Sequence, residues 1–476
     1  MRRVETDYLV VGAGMAGMGF VDELLEVSDA DVLMIDRRHA PGGHWNDAYP
    51  FVRLHQPSGW YGVGSAVLGE DRIATDGPEA GHYTRVSGVE IQAYFAERMR
   101  DRFLPSGRVR FLPKTDYLGG TPDERGGVHR IRSLFGGEET EVVVRKRLVD
   151  ATWTSSRVPQ TFPPPFEVAD GVRVVTPTEL TRLGFGGEDT GDGPVDGVTI
   201  VGTGKTAFDT GVWLLEQGCP PESITWIRTR DAWLNNVHFM QPGKLSDLTV
   251  EGTVAFLEAL AAHDTLDEVL AEVERREVIL RIDPDVEPTI FRGPTISTYE
   301  VDQLRRIDDV VRLGRVLRIE PDRIVLERGE VPTTPGQVHV HCAAPGLPER
   351  PPVPIFADGR ITVQYLTRAS MPLSSGAIAR TEALDLTDEE RNALCPANFM
   401  DQTPLGYLQM LLRGLATEGT WRGHPGLKDW FATTRVNATR SRPDEDRDPA
   451  RQALYGRLLE AIEPAYATLE RLTPAP

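Results

Sequence analysis

Cysteine is almost absent. Cys219, Cys342 and Cys395 are the only three, they lie far apart, and none forms a CxxC pair. This excludes a metal cluster built on cysteines and a redox-active dithiol, and it fits a reducing compartment. Lysine is nearly as scarce, with five in 476 residues, and the formal net charge is −19. A chain so short of positive charge is a poor partner for nucleic acid, whose phosphates demand clustered cations. No apolar run reaches the ~18 residues of a membrane span. The N-terminus, MRRVETDYLV, leads into an apolar strand without a signal-peptide pattern, so a cytoplasmic location and no membrane partner are expected. The glycosylation sequon at Asn437 is read as chance. His339 and His341 share a strand face but have no third ligand, so no metal site is expected. No Ser/His/Asp or Cys/His pattern for a protein nucleophile is evident.

What is present is glycine at specific places. YLVVGAGMAGMGF runs from an apolar strand into Gly12, Gly14 and Gly17, and a second strand, DVLMID, ends at Asp36, 24 residues after Gly12. In such a turn the first glycine allows the tight bend. The second admits a pyrophosphate to the backbone, and the third lets helix and strand pack closely. The helix start offers N–H groups to phosphate, and the acid meets a ribose hydroxyl. About 190 residues later GVTIVGTGKTAFDTGVWLLEQG repeats the device with Gly202, Gly204 and Ala207. TIVGTGKT is not a P-loop, because Thr199 stands where the first glycine of that pattern belongs. Lys205 and Thr206 are instead placed to meet a dinucleotide pyrophosphate. No acid ends the next strand. Arg228 and Arg230 lie there, 26 and 28 residues after Gly202. Guanidinium groups suit a 2′-phosphate, which favours NADPH; two ordinary surface arginines are the alternative. Asp209, on the same helix, reads equally as a site residue or a packing one.

The first unit continues with Gly42-Gly43-x-Trp45, Tyr49-Pro50, His55 and Pro57-Ser58. Together with the two glycine turns, these residues resemble the class B flavoprotein monooxygenases, the flavin-containing and Baeyer–Villiger types. The resemblance implies FAD in the first unit and NADPH in the second. It implies a flavin C4a-(hydro)peroxide that oxygenates a small molecule, with molecular oxygen as co-substrate. It assigns Gly12, Gly14, Gly17, Asp36, Gly43 and Trp45 to FAD, and Gly202, Gly204, Lys205, Thr206, Arg228 and Arg230 to NADPH. His55 stands where relatives have Asn or Asp beside the flavin, so an imidazole there could exchange protons near neutral pH. The alternative is a loop histidine that holds backbone groups; the adjacent Gln56 could substitute. Trp153 replaces the glycine of the family's ATG linker, and the FxGxxxH signature between the units is missing. A flavin dehydrogenase or oxidase without oxygen insertion therefore stays open, as does a non-enzymatic dinucleotide-binding sensor or partner.

The expected fold class is α/β, with two Rossmann-like dinucleotide-binding domains, a helical insertion and C-terminal helices. The domain plan assigns residues 1–155 to the FAD domain and 156–330 to the NADPH domain, with the insertion at about 235–310. Residues 331–390 return to the FAD domain, and 391–476 form a C-terminal helical region. GVEIQAYFAERMRDRF reads as an amphipathic helix with Ile91, Tyr94, Phe95 and Met99 on one face. Thr265 and Glu268 are placed to form a capping box, GGEDTGDGP from Gly186 reads as a polar glycine-rich turn or flexible loop, and RVLRIEPDRIVLERGEV as a hairpin. The resemblance implies that a helix opening at Pro372 points its N-terminus at the flavin, where its positive dipole end would meet negative charge. The tract from Arg435 to Arg451 reads as charged and exposed. The substrate pocket is expected between the insertion and the C-terminal helices. A homodimer is the assembly considered, closed dimers being the commonest oligomers.

Overall fold

In the computed structural model, residues 2–121, 123, 126–183, 195–347, 350–368, 370–399, 401–445 and 447–473 are described. The GGEDTGDGP segment, expected as a turn or loop, lies outside them. Strand β1 (Arg2–Val11) enters the first glycine turn, helix α1 (Met15–Val27) follows, and β2 (Val32–Ile35) completes the βαβ unit. Gly12 adopts φ +105°, and a Cβ there would press on Thr152 and the Ala151 carbonyl. A Cβ at Gly17 would collide with the Gly12 carbonyl oxygen, so helix and turn can approach only without one. Helix α2 (Gly88–Arg98) starts at a capping box in which Ser87 and Glu90 bond each other's backbone N–H. Its expected apolar face is buried: Ile91, Tyr94, Phe95 and Met99 all lie in the core.

Strands β3 (Val109–Leu112), β4 (Thr115–Thr121), β5 (Gly127–Ser133) and β6 (Glu139–Asp150) follow. The last three form an antiparallel meander, and β6 also pairs parallel with β1, aligning Val149 with Val10. The short strands β7 (Glu167–Val168) and β8 (Arg173–Val175) and helix α3 (Pro177–Leu180) lead to the second unit. There β9 (Gly197–Val201), all five residues buried, precedes the second glycine turn, helix α4 (Lys205–Glu216) and β10 (Ile224–Ile227).

The insertion holds β11 (Ala232–Asn236), α5 (Ser246–Ala262), α6 (Leu266–Arg275), β12 (Ile279–Leu280), β13 (Ile290–Ile296) and α7 (Thr298–Leu304). It is therefore less helical than expected: β12, β11 and β13 make a three-stranded sheet. Ile279, Ile290 and Phe291 are buried β-branched or aromatic residues, a strand preference that the helical spacing of the flanking segments obscured. The Thr265–Glu268 capping box is present.

Strand β14 (Asp309–Val311) returns to the second sheet. Strands β15 (Val316–Ile319), β16 (Arg323–Leu326) and β17 (Gly329–Pro332) form the expected hairpin, extended by one strand, and β18 (Gln337–His341) follows. The second sheet is parallel, in the order β14-β10-β9-β18-β8. Residues 337–341 thus belong to the second unit, and the expected boundary at 330/331 falls too early. The chain rejoins the first sheet at β19 (Phe356–Ala357) and β20 (Arg360–Thr362), giving the order β19-β20-β6-β1-β2-β3.

Helix α8 (Met371–Glu382) packs on α1, where Gly19 admits the Ser375 side chain. Among the described residues four helices follow: α9 (Asp388–Leu394), α10 (Pro404–Gly423), α11 (Lys428–Thr433) and α12 (Pro449–Leu472). The C-terminal residues are not a separate body. Tyr407, Leu408, Leu411 and Ala461 share a core with Phe256, Leu260 and Phe291 of the insertion, whereas Trp421, Trp430 and Phe431 join the core of the first unit. Among the described residues no helix is long and apolar enough to cross a membrane, and no cluster of His, Cys, Asp and Glu could hold a metal ion.

Candidate active site

One cavity of about 1390 Å³ runs between the two units. Its wall includes Gly12, Gly14, Asp36, Gly43 and Trp45 from the first unit and Gly204, Lys205 and Thr206 from the second, with His55 and Gln56 between them. A third part is lined by the insertion and the C-terminal segment, including Asn235, Phe256, Arg292, Arg368, Tyr407 and Met410.

The first cradle is drawn tight by backbone. The Gly14 and Gly43 main chains touch, so that a Cβ on Gly43 would lie 2.9 Å from the Gly14 Cα. Asp36 accepts the Ala13 N–H at 2.7 Å and the Arg38 N–H at 2.8 Å, which aims its carboxylate along the cavity rim. Trp45 donates its indole N–H to the Tyr61 hydroxyl at 3.0 Å. The second cradle is looser. Gly202 (φ +149°) is pressed by the Cys342 carbonyl, but a Cβ on Gly204 would meet nothing within 4 Å. The two turns that close the cradles, after β6 and after β18, are bridged to each other at Arg157 and Gly346.

His55 faces the cavity and takes no hydrogen bond among the described residues. Burial, followed by the Lys205 charge, lowers its pKa to about 4, so the imidazole is neutral at pH 7. Gln56 is half-buried beside it. His44, another cavity residue, is also held at about 4, by burial and then by Arg38.

Several residues predicted as nucleotide contacts are used otherwise. The Lys205 ammonium is turned into two carboxylates, Asp209 and Glu300 (2.8 Å), so the direct pyrophosphate contact expected of it is already spent inside the protein. Burial opposes the Lys205 charge, but these acids outweigh it and lift its pKa. Arg228 is buried, lies 4.6 Å from the Trp226 ring and pairs with Asp231, and it does not line the cavity. Its assignment to a 2′-phosphate is corrected: the residue belongs to the core of the second unit. Arg230, at the same strand end, is exposed but is not part of the cavity wall.

Sequence reasoning missed the contacts that join the units. Tyr49 donates to Asp209 at 2.6 Å, and Phe51 stacks on Trp213 at 4.8 Å, so the loop after β2 is docked on α4. Arg435 was read as exposed, yet it donates to the carbonyls of Gly59, Tyr61 and Val63, and the neighbouring Val436, Asn437 and Ala438 line the cavity. Its charged surroundings in sequence concealed this, because a guanidinium that binds carbonyls leaves no apolar pattern. The capping signature Ser297-x-x-Glu300 was the one readable signal near Glu300.

The fold is that of class B flavin monooxygenases. Oxidized steroid monooxygenase bound to NADP is similar over 97% of this chain and 98% of that one, with TM-score 0.51 and 15% identity. Polycyclic ketone monooxygenase from Thermothelomyces thermophila is similar over 97% and 89%, with TM-score 0.51 and 13% identity. A family model described as an NAD(P)-binding Rossmann-like domain matches residues 10–56. The chain belongs to the family that includes the uncharacterized proteins Rv2000 of Mycobacterium tuberculosis (strain ATCC 25618 / H37Rv) and Mb2023 of Mycobacterium bovis (strain ATCC BAA-935 / AF2122/97). It is 40% identical to each over 437 residues, which is 92% of this chain and 78% of either relative.

Proposed function

We propose that this protein is a flavin-dependent oxidoreductase that binds FAD in the first cradle and NADPH in the second and uses molecular oxygen to oxygenate a small molecule. The observation that carries the reading is the single cavity, which joins both glycine turns to a third compartment. The residues fit the two groups. Gly12 holds a positive φ, Gly14 and Gly43 leave the backbone bare, and the space above Gly204 is open where a pyrophosphate would approach. Asp36 is aimed to meet a ribose. When bound, FAD supplies two-electron chemistry with nicotinamide and with oxygen.

The chain's own residues bind, orient and exclude water. The N-termini of α1 and α4 present N–H groups to phosphate. The N-terminus of α8, with Ser370, Met371 and Pro372 in the cavity wall, offers a positive dipole end to negative charge. His55, neutral and facing the cavity, serves as an uncharged hydrogen-bond partner, with Gln56 beside it. Phe256, Tyr407 and Met410, together with Arg292 and Arg368, form the substrate compartment, which accommodates an amphipathic small molecule.

A flavin dehydrogenase or oxidase is the second reading, favoured by the missing FxGxxxH linker. Anaerobic reduction by NADPH followed by labelled dioxygen separates the two. Label in the product supports oxygenation; reduction with label only in water or hydrogen peroxide supports the oxidase. Binding without any turnover would leave the sensor reading, and the absence of bound or reconstitutable flavin would overturn all but that one.

A further inference from the structure

Charged side chains from both units meet just behind the cavity wall, where α4, α7 and the strand-like strap before α2 converge. Lys205 Nζ reaches Asp209 and, at 2.8 Å, Glu300 Oε1. Arg85 reaches Glu300 Oε2 at 3.2 Å and Glu79 at 2.6 Å. Tyr49 closes the chain by donating to Asp209 at 2.6 Å. Only about a tenth of each side chain of Arg85, Glu300, Lys205 and Asp209 is exposed. The Glu300 carboxylate is held still by its own capping box, accepting the Ser297 N–H at 2.9 Å and hydroxyl at 2.8 Å.

Buried ion pairs are expensive to desolvate, and apolar packing would join two domains as well or better. What an apolar contact lacks is a fixed register. Lys205 is the first residue of α4, next to Gly204, and is the one charged member of the chain that belongs to the cavity wall, beside the Tyr49 that closes it. With its ammonium drawn back into Asp209 and Glu300, the space above Gly204 stays clear and the helix start is tied to the loop that carries Tyr49 and His55.

We propose that Lys205, Glu300 and Arg85 are positioning residues that lock the start of α4 onto the His55 loop and so set the spacing between the two dinucleotides. The proposal rests on the reading of FAD and NADPH in the two cradles. It has its own reporter, because the charges facing His55 are those of Lys205, Asp209, Glu300 and Arg85.

The test measures anaerobic flavin reduction at saturating NADPH in the Glu300→Gln variant. A shift of the α4 start by even a fraction of an ångström should slow reduction roughly 10- to 100-fold, with the flavin-to-protein ratio unchanged and partial recovery in Glu300→Asp. A rate equal to that of the native protein would overturn the proposal. If Glu300→Gln does not fold, Arg85→Lys gives the same reading on a milder scale.

The second measurement needs no nicotinamide. Titrated by NMR, His55 should move upward in pKa in Lys205→Met and downward in Asp209→Asn. Absence of those opposite signs would overturn the clamp. A native protein that NADPH does not reduce would sink the functional reading, and the histidine titration would then decide the clamp alone.

Discussion

In the first cradle each glycine of the turn is pressed by its surroundings: Gly12 by Ala151 and Thr152, Gly14 by Gly43, and Gly17 by the Gly12 carbonyl. In the second, Gly202 is pressed by Cys342, while Gly204 opens on free space. One sequence device therefore does two kinds of work. In the first cradle glycine is required by the protein's own packing, and in the second cradle Gly204 is required only by what would lie above it. The acid and base at the strand ends differ in the same sense. Asp36 is aimed into the cavity by backbone donors, whereas Arg228 is consumed by Asp231.

The largest effect that would break this contrast is in Gly17→Ala. A methyl driven into the Gly12 carbonyl should cost ~1–3 kcal/mol or more, seen as a lower Tm and as loss of bound flavin. An unchanged Tm would mean that the first turn is not packed as described. Arg228→Met leaves Asp231 with Arg312 alone (2.9 Å), and a destabilisation of about 1–3 kcal/mol is expected in denaturant unfolding, with no change in the preference for NADPH over NADH. Arg230→Met, exposed and outside the cavity wall, should leave unfolding unchanged; a loss of the NADPH preference in that variant would show that the 2′-phosphate is met beyond the wall. Gly204→Ala should leave Tm within about 1 °C, since a change within ±0.5 kcal/mol is typical of a substitution that meets nothing, yet weaken NADPH binding about tenfold by calorimetric titration. Loss of stability in that variant would erase the distinction between the cradles.

A different kind of effect is in the pH dependence of stability. His55 has a folded pKa of about 4 against an ordinary 6.5, so the unfolded chain binds the extra proton between those values. Its contribution is fully present above about pH 6.5 and is lost as pH falls toward 4. His55→Gln should flatten that part of the curve of Tm against pH, and an unaltered slope would show that the imidazole is not held neutral.

Much of the plan was legible because it rests on short local rules. Glycine spacing, apolar strands and the capping box at Thr265 are each set within a few residues, and both βαβ units appear where those rules put them. The boundary after β17 was missed because β18 and the inner strands of the first sheet carry the same nearly continuous run of buried residues, and nothing local says which sheet a parallel strand will join. The inter-unit contacts were illegible for a related reason. Tyr49 and Asp209, or Arg435 and Tyr61, are hundreds of residues apart or nearly so, and a polar residue in a loop looks the same in sequence whether it meets water or a distant carbonyl. Arg228 misled because a guanidinium at a strand end is compatible with both a phosphate and a neighbouring aspartate.

The Arg435 bonds to the loop at residues 59–63 bear on the order in which the molecule is made. The donor follows the Val63 acceptor by 372 residues. At the ~5–20 residues per second of protein synthesis, the loop waits roughly 20–75 s for the side chain that pins it. The first glycine turn thus leaves the ribosome well before the side chain that fixes one wall of its cavity.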